Sequence, residues 1–340
     1  MSVKTDLFGT LGGRDVRRFT IVSQDVEVRL IELGATIQGL RVKDREGRWR
    51  EVVLFHDSLE DYIEKPGYWG AVCGRHANRI AGAAFTLNGR RYQLEPNDNG
   101  NNLHSGKDGF HHKIFAGVSE DESSVSFRYF SPENEQGFPG NMFVKVTYRI
   151  SDEGGLLIEY VTTTDEDTIW NLTNHAYFNL AGADTILDHT LQVAADFYTP
   201  VDDVLLPTGE ILSVCGTPFD LRDPTLLRDR IGTGPNALKD GFDHNFVFRK
   251  SPGIPDATLY CSETGISMDV FTTLPGVQVY SAAGQDGTTS SWGHPVPRFG
   301  GICMETQFFP NSLSYAHFPQ PIQYEGSLAM ETTEYRFSIK

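Results

Sequence analysis

The chain has 340 residues, of which 39% are hydrophobic and 22% charged. Those proportions exclude a disordered or collagen-like polymer, and the length is enough to bury a large core without staples. A formal net charge of −16 repels phosphate backbones and anionic lipid, so neither nucleic acid nor a membrane surface is an expected partner.

The start, Met1-Ser2-Val3-Lys4-Thr5-Asp6, lacks the apolar stretch of a signal peptide, and no run of about 18 apolar residues follows. Cys73, Cys215, Cys261 and Cys303 are too sparse for a disulfide framework and read as reduced, buried thiols. A cytoplasmic location is expected, in which the sequon Asn171-Leu172-Thr173 carries no meaning.

Along the chain, period two dominates. Val26, Val28 and Leu30 alternate with Glu27 and Arg29, which predicts a half-buried strand. Ser58-Leu59-Glu60-Asp61-Tyr62 predicts a short helix capped by Ser58. Gly74 to Arg79 reads as a loop offering two guanidinium groups and an amide. Thr86 to Tyr92 predicts a hairpin, because Asn88-Gly89 suits a type I′ turn. Asn101 to Gly106 is a polar loop holding His104. Two strands follow, with Val125, Phe127 and Tyr129 on one face of the first and Val144, Val146, Tyr148 and Ile150 on one face of the second. Asp223-Pro224-Thr225-Leu226-Leu227 predicts a second short helix. Gly241 to Asn245 is a third polar loop, and Tyr335, Phe337 and Ile339 mark a final strand. Strands run from end to end without linker or repeat. The expectation is all-β: one large antiparallel β-sandwich over 1–340, a single domain with few short helices.

Three strands carry polar residues where the pattern predicts something else. Between Asn171 and Leu180, one face holds Leu172, Ala176, Phe178 and Leu180; the other holds Asn171, Thr173, His175, Tyr177 and Asn179. Taken alone, His175 reads more simply as a hydrogen-bonded structural histidine. Glu305 is the one charge in the apolar run Gly301 to Phe309, so it is either structurally paired or a carboxylate of raised pKa useful as a base. In Pro275 to Tyr280, Gln278 and Tyr280 face away from Val277 and Val279. A planar amide suits a pair of sugar hydroxyls, although taken alone a solvent-facing glutamine is the simpler reading. There is no P-loop, dinucleotide fingerprint, H-E-x-x-H or nucleophile elbow, and the pairs His111-His112 and Asp243-His244 are poorly spaced for a shared metal.

Several segments together resemble the galactose mutarotase (aldose 1-epimerase) family. They are Gly74-Arg75-His76-Ala77-Asn78-Arg79-Ile80, Asn102-Leu103-His104-Ser105-Gly106, Gly137-Phe138-Pro139-Gly140 and Asn171-Leu172-Thr173-Asn174-His175-Ala176-Tyr177-Phe178-Asn179-Leu180. They continue with Leu206-Pro207-Thr208-Gly209-Glu210, Thr217-Pro218-Phe219-Asp220, Phe242-Asp243-His244-Asn245, Pro275 to Tyr280, and Glu305-Thr306-Gln307. The resemblance implies a large β-sandwich that exchanges the anomers of a free monosaccharide without metal or cofactor. It implies Glu305 as general base and His175 as general acid, with Arg79, Asn78, His104, Asp243 and Gln278 holding hydroxyls. The chain departs from the family pattern at Ser105, Phe115, Phe308-Phe309-Pro310 and His76, none of which removes a catalytic group. Three other readings compete: a sugar-binding protein on the same scaffold, a glycosidase using Glu305 and Asp243, and a hexose-phosphate epimerase drawing on Arg75 and Arg79.

Overall fold

A computed structural model describes residues 1–340 apart from Pro66, Asp152, Thr233, Pro235, Asn236, Asp286, Thr288 and Thr289. Alternating apolar residues make three large antiparallel sheets. The first uses Ser2–Leu11, Arg14–Val22, Val26–Ile31, Thr36–Lys43 and Trp49–Glu51 as a meander in chain order. The second has nine strands, in spatial order Ala116–Ser119, Ser124–Ser131, Met142–Ile150, Gly155–Thr164, Leu328–Ile339, Ile266–Thr272, Ala257–Cys261, His189–Val193 and Thr225–Leu226. Its C-terminal strand is thus inserted between two earlier ones. The third has six, in the order Tyr177–Phe178, Ile302–Gln307, Gly276–Tyr280, Asp243–Phe248, Ala195–Thr199 and Leu212–Ser213.

The nine-stranded sheet is one layer of the sandwich; the other two sheets share the facing layer. Phe19 meets Phe127 edge-on at 5.7 Å, and the Tyr148 hydroxyl donates to the Ala35 carbonyl at 2.6 Å. On the other half, Phe178 packs on Tyr335 at 4.9 Å and the Thr306 and Thr333 hydroxyls lie 2.5 Å apart. Val28, Leu30, Val146, Ile158, Met268, Val277 and Met304 belong to one continuous apolar cluster across all three sheets. Each such side chain contributes roughly 1.5–3 kcal/mol by leaving water.

The predicted hairpin forms, Leu87 pairing with Arg90 across Asn88 (φ 51°) and Gly89 (φ 78°), both left-handed as a type I′ turn requires. Ser58 caps the helix Leu59–Glu64 by accepting the Asp61 N–H at 3.2 Å. Other expectations are corrected. Thr225–Leu226 is an edge strand followed by the 3-10 turn Leu227–Asp229, not an α-helix, because Leu191 offers Thr225 a pairing partner. Asp243–Phe248 is a strand rather than a loop, and Cys215 is exposed while the other three free thiols are buried. No helix among the described residues is long and apolar enough to cross a membrane.

Candidate active site

Strand register sets the first group of polar side chains. In the six-stranded sheet Glu305 pairs with Gln278 and Gln278 with Asn245, while Cys303 pairs with Tyr280 and Tyr280 with Asp243. Directly paired antiparallel residues share a face. Glu305, Gln278, Asn245, Cys303, Tyr280 and Asp243 therefore lie on one face, while Met304, Val277 and Val279 point to the core. The Gln278 amide donates to the Asp243 carboxylate at 2.7 Å.

The second group comes from two loops that pair with each other. Arg79–Ile80 forms a short antiparallel ladder with Asn102–Leu103. Asn78 N–H donates to Nδ1 of His104, and His104 N–H donates to the Asn78 carbonyl, both at 3.2 Å. Both residues are left-handed, Asn78 at φ 63° and His104 at φ 51°, which is strained for the histidine. Arg79 donates through Nε to Asp98 at 2.7 Å, and its guanidinium reaches 3.8 Å from Asp243. The loops thereby close over the sheet face.

His175 joins the two groups. The run from Asn171 to Leu180 is not one strand: Thr173–Asn174 pairs with Val72–Cys73, and Tyr177–Phe178 pairs with the Glu305 strand. His175 sits at the break. Its N–H donates to the Ala71 carbonyl and its carbonyl accepts from Gly70, each at 2.9 Å. Gly70 is required there, since it is left-handed (φ 69°) and a Cβ would lie 2.1 Å from the Ile37 carbonyl oxygen. Nε2 of His175 lies 3.6 Å from Oε1 of Glu305.

These side chains line a cavity of about 430 Å³, within the range of small-molecule sites. Asn78, Arg79, His104, His175, Asp243 and Glu305 all line it. Gln278 does not; it lies beneath Asp243 with its amide committed to that carboxylate, so it is neither solvent-facing nor presented to the cavity. Tyr68, Tyr177, Leu205, Asp240, His244 and Tyr280 also line the cavity and were not singled out from the sequence as site residues. Of these, Tyr280 and Tyr177, on the polar faces of their strands, and His244, the histidine of a polar loop, gave a signal. Asp98, which holds Arg79, gave none.

Burial sets the electrostatics. It pushes the Glu305 carboxyl well above the usual range, with the Asp243 charge adding to the effect and Arg79 opposing it. It raises Asp243 too, against the pull of Arg79 and Gln278. It pushes His175 down to about 4 and His104 well down, the latter with help from His175. Oε2 of Glu305 and Oε1 of Gln278 have no hydrogen-bond partner among the described residues.

Side-chain donors of His104, His175 and Glu305 lie within 4.8 Å of one another, a spacing that could suit a metal ion. The tautomer argues otherwise. Nδ1 of His104 accepts a backbone N–H, so neutral His104 carries its proton on Nε2 and has no lone pair there for a metal. Arg75 is likewise not a site residue: it is buried and donates to Oγ of Ser131 and the carbonyls of Ser131, Pro132, Pro139 and Gly140. That removes one of the two cations a phosphorylated sugar would need. Two departures from the family pattern meet in contact, Oγ of Ser105 accepting the His76 N–H at 2.8 Å.

The family model for aldose 1-epimerase matches residues 17–336. The chain belongs to the aldose 1-epimerase family. Galactose mutarotase of Bos taurus is 41% identical over 345 aligned residues, covering 100% of this chain and 99% of that protein. Aldose 1-epimerase of Escherichia coli K12 is 34% identical, covering 91% of each. Among solved structures, a galactose 1-epimerase from Lactobacillus acidophilus superposes with TM-score 0.88 at 25% identity, covering 99% of both chains. An aldose epimerase homologue from C. elegans gives TM-score 0.88 at 29% identity, covering 94% of this chain and 98% of that one. The antiparallel sandwich is therefore the fold of the epimerase family.

Proposed function

We propose that this isomerase interconverts the α and β anomers of a free aldose of the galactose or glucose type, with Glu305 and His175 as its proton-transfer pair. The observation that carries the reading is the 3.6 Å separation of Glu305 Oε1 and His175 Nε2 in a buried cavity. Anomer exchange moves protons at two oxygens bonded to the same carbon. Groups that serve O1 and O5 of one sugar must therefore be close neighbours.

Glu305 takes the proton of the O1 hydroxyl as His175 gives one to O5. The C1–O5 bond breaks and C1=O1 forms; rotation about C1–C2 presents the other aldehyde face, and the transfers run back. Each acid–base role is worth about 10²–10⁴-fold. The opposite shifts leave the pair's single proton mainly on Glu305, so the form that reacts, carboxylate with imidazolium, is the minor one; in that form burial strengthens both groups, since a carboxylate of raised pKa is the better base and an imidazolium of lowered pKa the better acid. Arg79, Asp243, Asn78 and His104 hold the remaining hydroxyls so that the open chain recloses before it leaves. Gln278 acts through Asp243 by fixing its carboxylate. Among the described residues Arg79 is the one Arg or Lys lining the cavity, which favours an unphosphorylated sugar. The free thiols fit a cytoplasmic setting.

Polarimetry of freshly dissolved α-D-galactose and α-D-glucose in chelator-containing buffer tests the reading. Faster decay to the same final rotation is expected. Binding of both sugars without acceleration of either would instead support a sugar-binding protein.

A further inference from the structure

The proton-transfer scheme leaves a buried thiol beside His175 without a task. Cys303 stands two residues before Glu305 on the same sheet face, and its Sγ lies 3.5 Å from Nδ1 of His175. The contact is built in by register, because Cys303 pairs with Tyr177, two residues beyond His175. The imidazole stacks on Tyr177 at 5.0 Å (30°), with the tilted ring of Tyr68 5.6 Å away. Stacking fixes the ring plane but not which nitrogen carries the proton.

Resting on the reading of His175 as proton-transfer partner of Glu305, we infer that Cys303 is a positioning residue: its thiol engages Nδ1 of His175 and so keeps Nε2–H directed at the sugar. When the imidazole is neutral, S–H donates to Nδ1 and the ring proton sits on Nε2. When the ring is an imidazolium, Nδ1–H donates to sulfur. A thiol can do both because it is a weak donor and a weak acceptor. Burial, with the Glu305 charge adding to it, raises the Cys303 pKa, so the group stays a neutral thiol at neutral pH. Neutrality matters: a carboxylate here would stabilise the imidazolium and make it a poorer acid. The other titratable groups around the ring are Tyr68, His104, His111, Tyr177 and Glu305. The competing partner for Nδ1 is the carbonyl of His175 itself, which already accepts the Gly70 N–H.

The test combines polarimetric kinetics of Cys303→Ala, Cys303→Ser and Cys303→Asp with ¹⁵N NMR of His175 in the wild-type protein. Cys303→Ala should lower kcat about 10-fold or more at nearly constant KM, and Cys303→Ser should recover most of the loss. Cys303→Asp should move the acid limb of the pH profile up by about one unit or more. The ¹⁵N shifts of the neutral ring should report a proton on Nε2, a readout that needs no variant to fold. Wild-type kinetics and pH profile in Cys303→Ala, or an Nδ1-protonated neutral ring, would overturn the inference. His175→Asn separates the two claims: full activity there sinks the proton-transfer reading itself, whereas its loss beside an unaffected Cys303→Ala sinks only the role of the thiol.

Discussion

Arg75 and Arg79 stand four residues apart in one loop motif and do opposite things. Arg75 is enclosed, and its donors reach a hydroxyl and four carbonyls of the 131–140 segment. Burial lowers its guanidinium to about 10, with Glu135 the largest opposing charge, so it stays a cation at neutral pH. Arg79 has one short contact, to Asp98, and a longer one to Asp243 at 3.8 Å, which leaves donors facing the cavity. A fully satisfied buried cation holds a fold together, whereas a partly satisfied one at a cavity wall is available to a ligand.

This contrast can be broken by mutation. The largest effect should come from Arg75→Met, which strands several carbonyls without their donor. A loss of about 3–5 kcal/mol is expected, read as a drop in Tm of roughly 4–7 °C, with KM of any folded protein near wild type. An unchanged Tm with a raised KM would reverse the assignment. Arg79→Met should lower kcat/KM about 100-fold while Tm moves by only about 1 °C, because its charged hydrogen bonds are to be made with the sugar. Asp98→Asn should sharpen the comparison: by loosening Arg79 it should raise KM about 10-fold, measured by polarimetry, and Arg79→Met should then hide the effect of Asp98→Asn in the double variant. Smallest should be Gln278→Leu, which frees the Asp243 carboxylate and should raise KM a few-fold with kcat little changed.

The two arginines also show what a sequence reveals. Alternation marked the strands because a sheet between water and core must alternate, and it singled out Glu305 as a charge inside an apolar run. The strand-long reading of Asn171 to Leu180 held for composition and failed for geometry. Its residues are buried on both faces, and the backbone breaks at His175 to serve two partner strands. Asp98 and Asp240 could not be seen, since nothing local distinguishes a loop aspartate that meets Arg79 or the cavity from a solvated one. The helix expected at Asp223 failed because a pairing partner supplied by Leu191 outweighs a weak local signal.

The proton-transfer pair predicts a bell-shaped kcat/KM. Below about pH 4 His175 and Glu305 are both protonated and no base remains; above the raised value of Glu305 both have lost the proton and no acid remains. The most direct test of the account is that profile, measured by polarimetry for the wild type and for Glu305→Gln. The account predicts a wild-type profile that rises above about pH 4 and falls above the raised value of Glu305, and in Glu305→Gln a kcat lower by about 10² or more with sugar binding retained. Wild-type turnover in Glu305→Gln at any pH would contradict it.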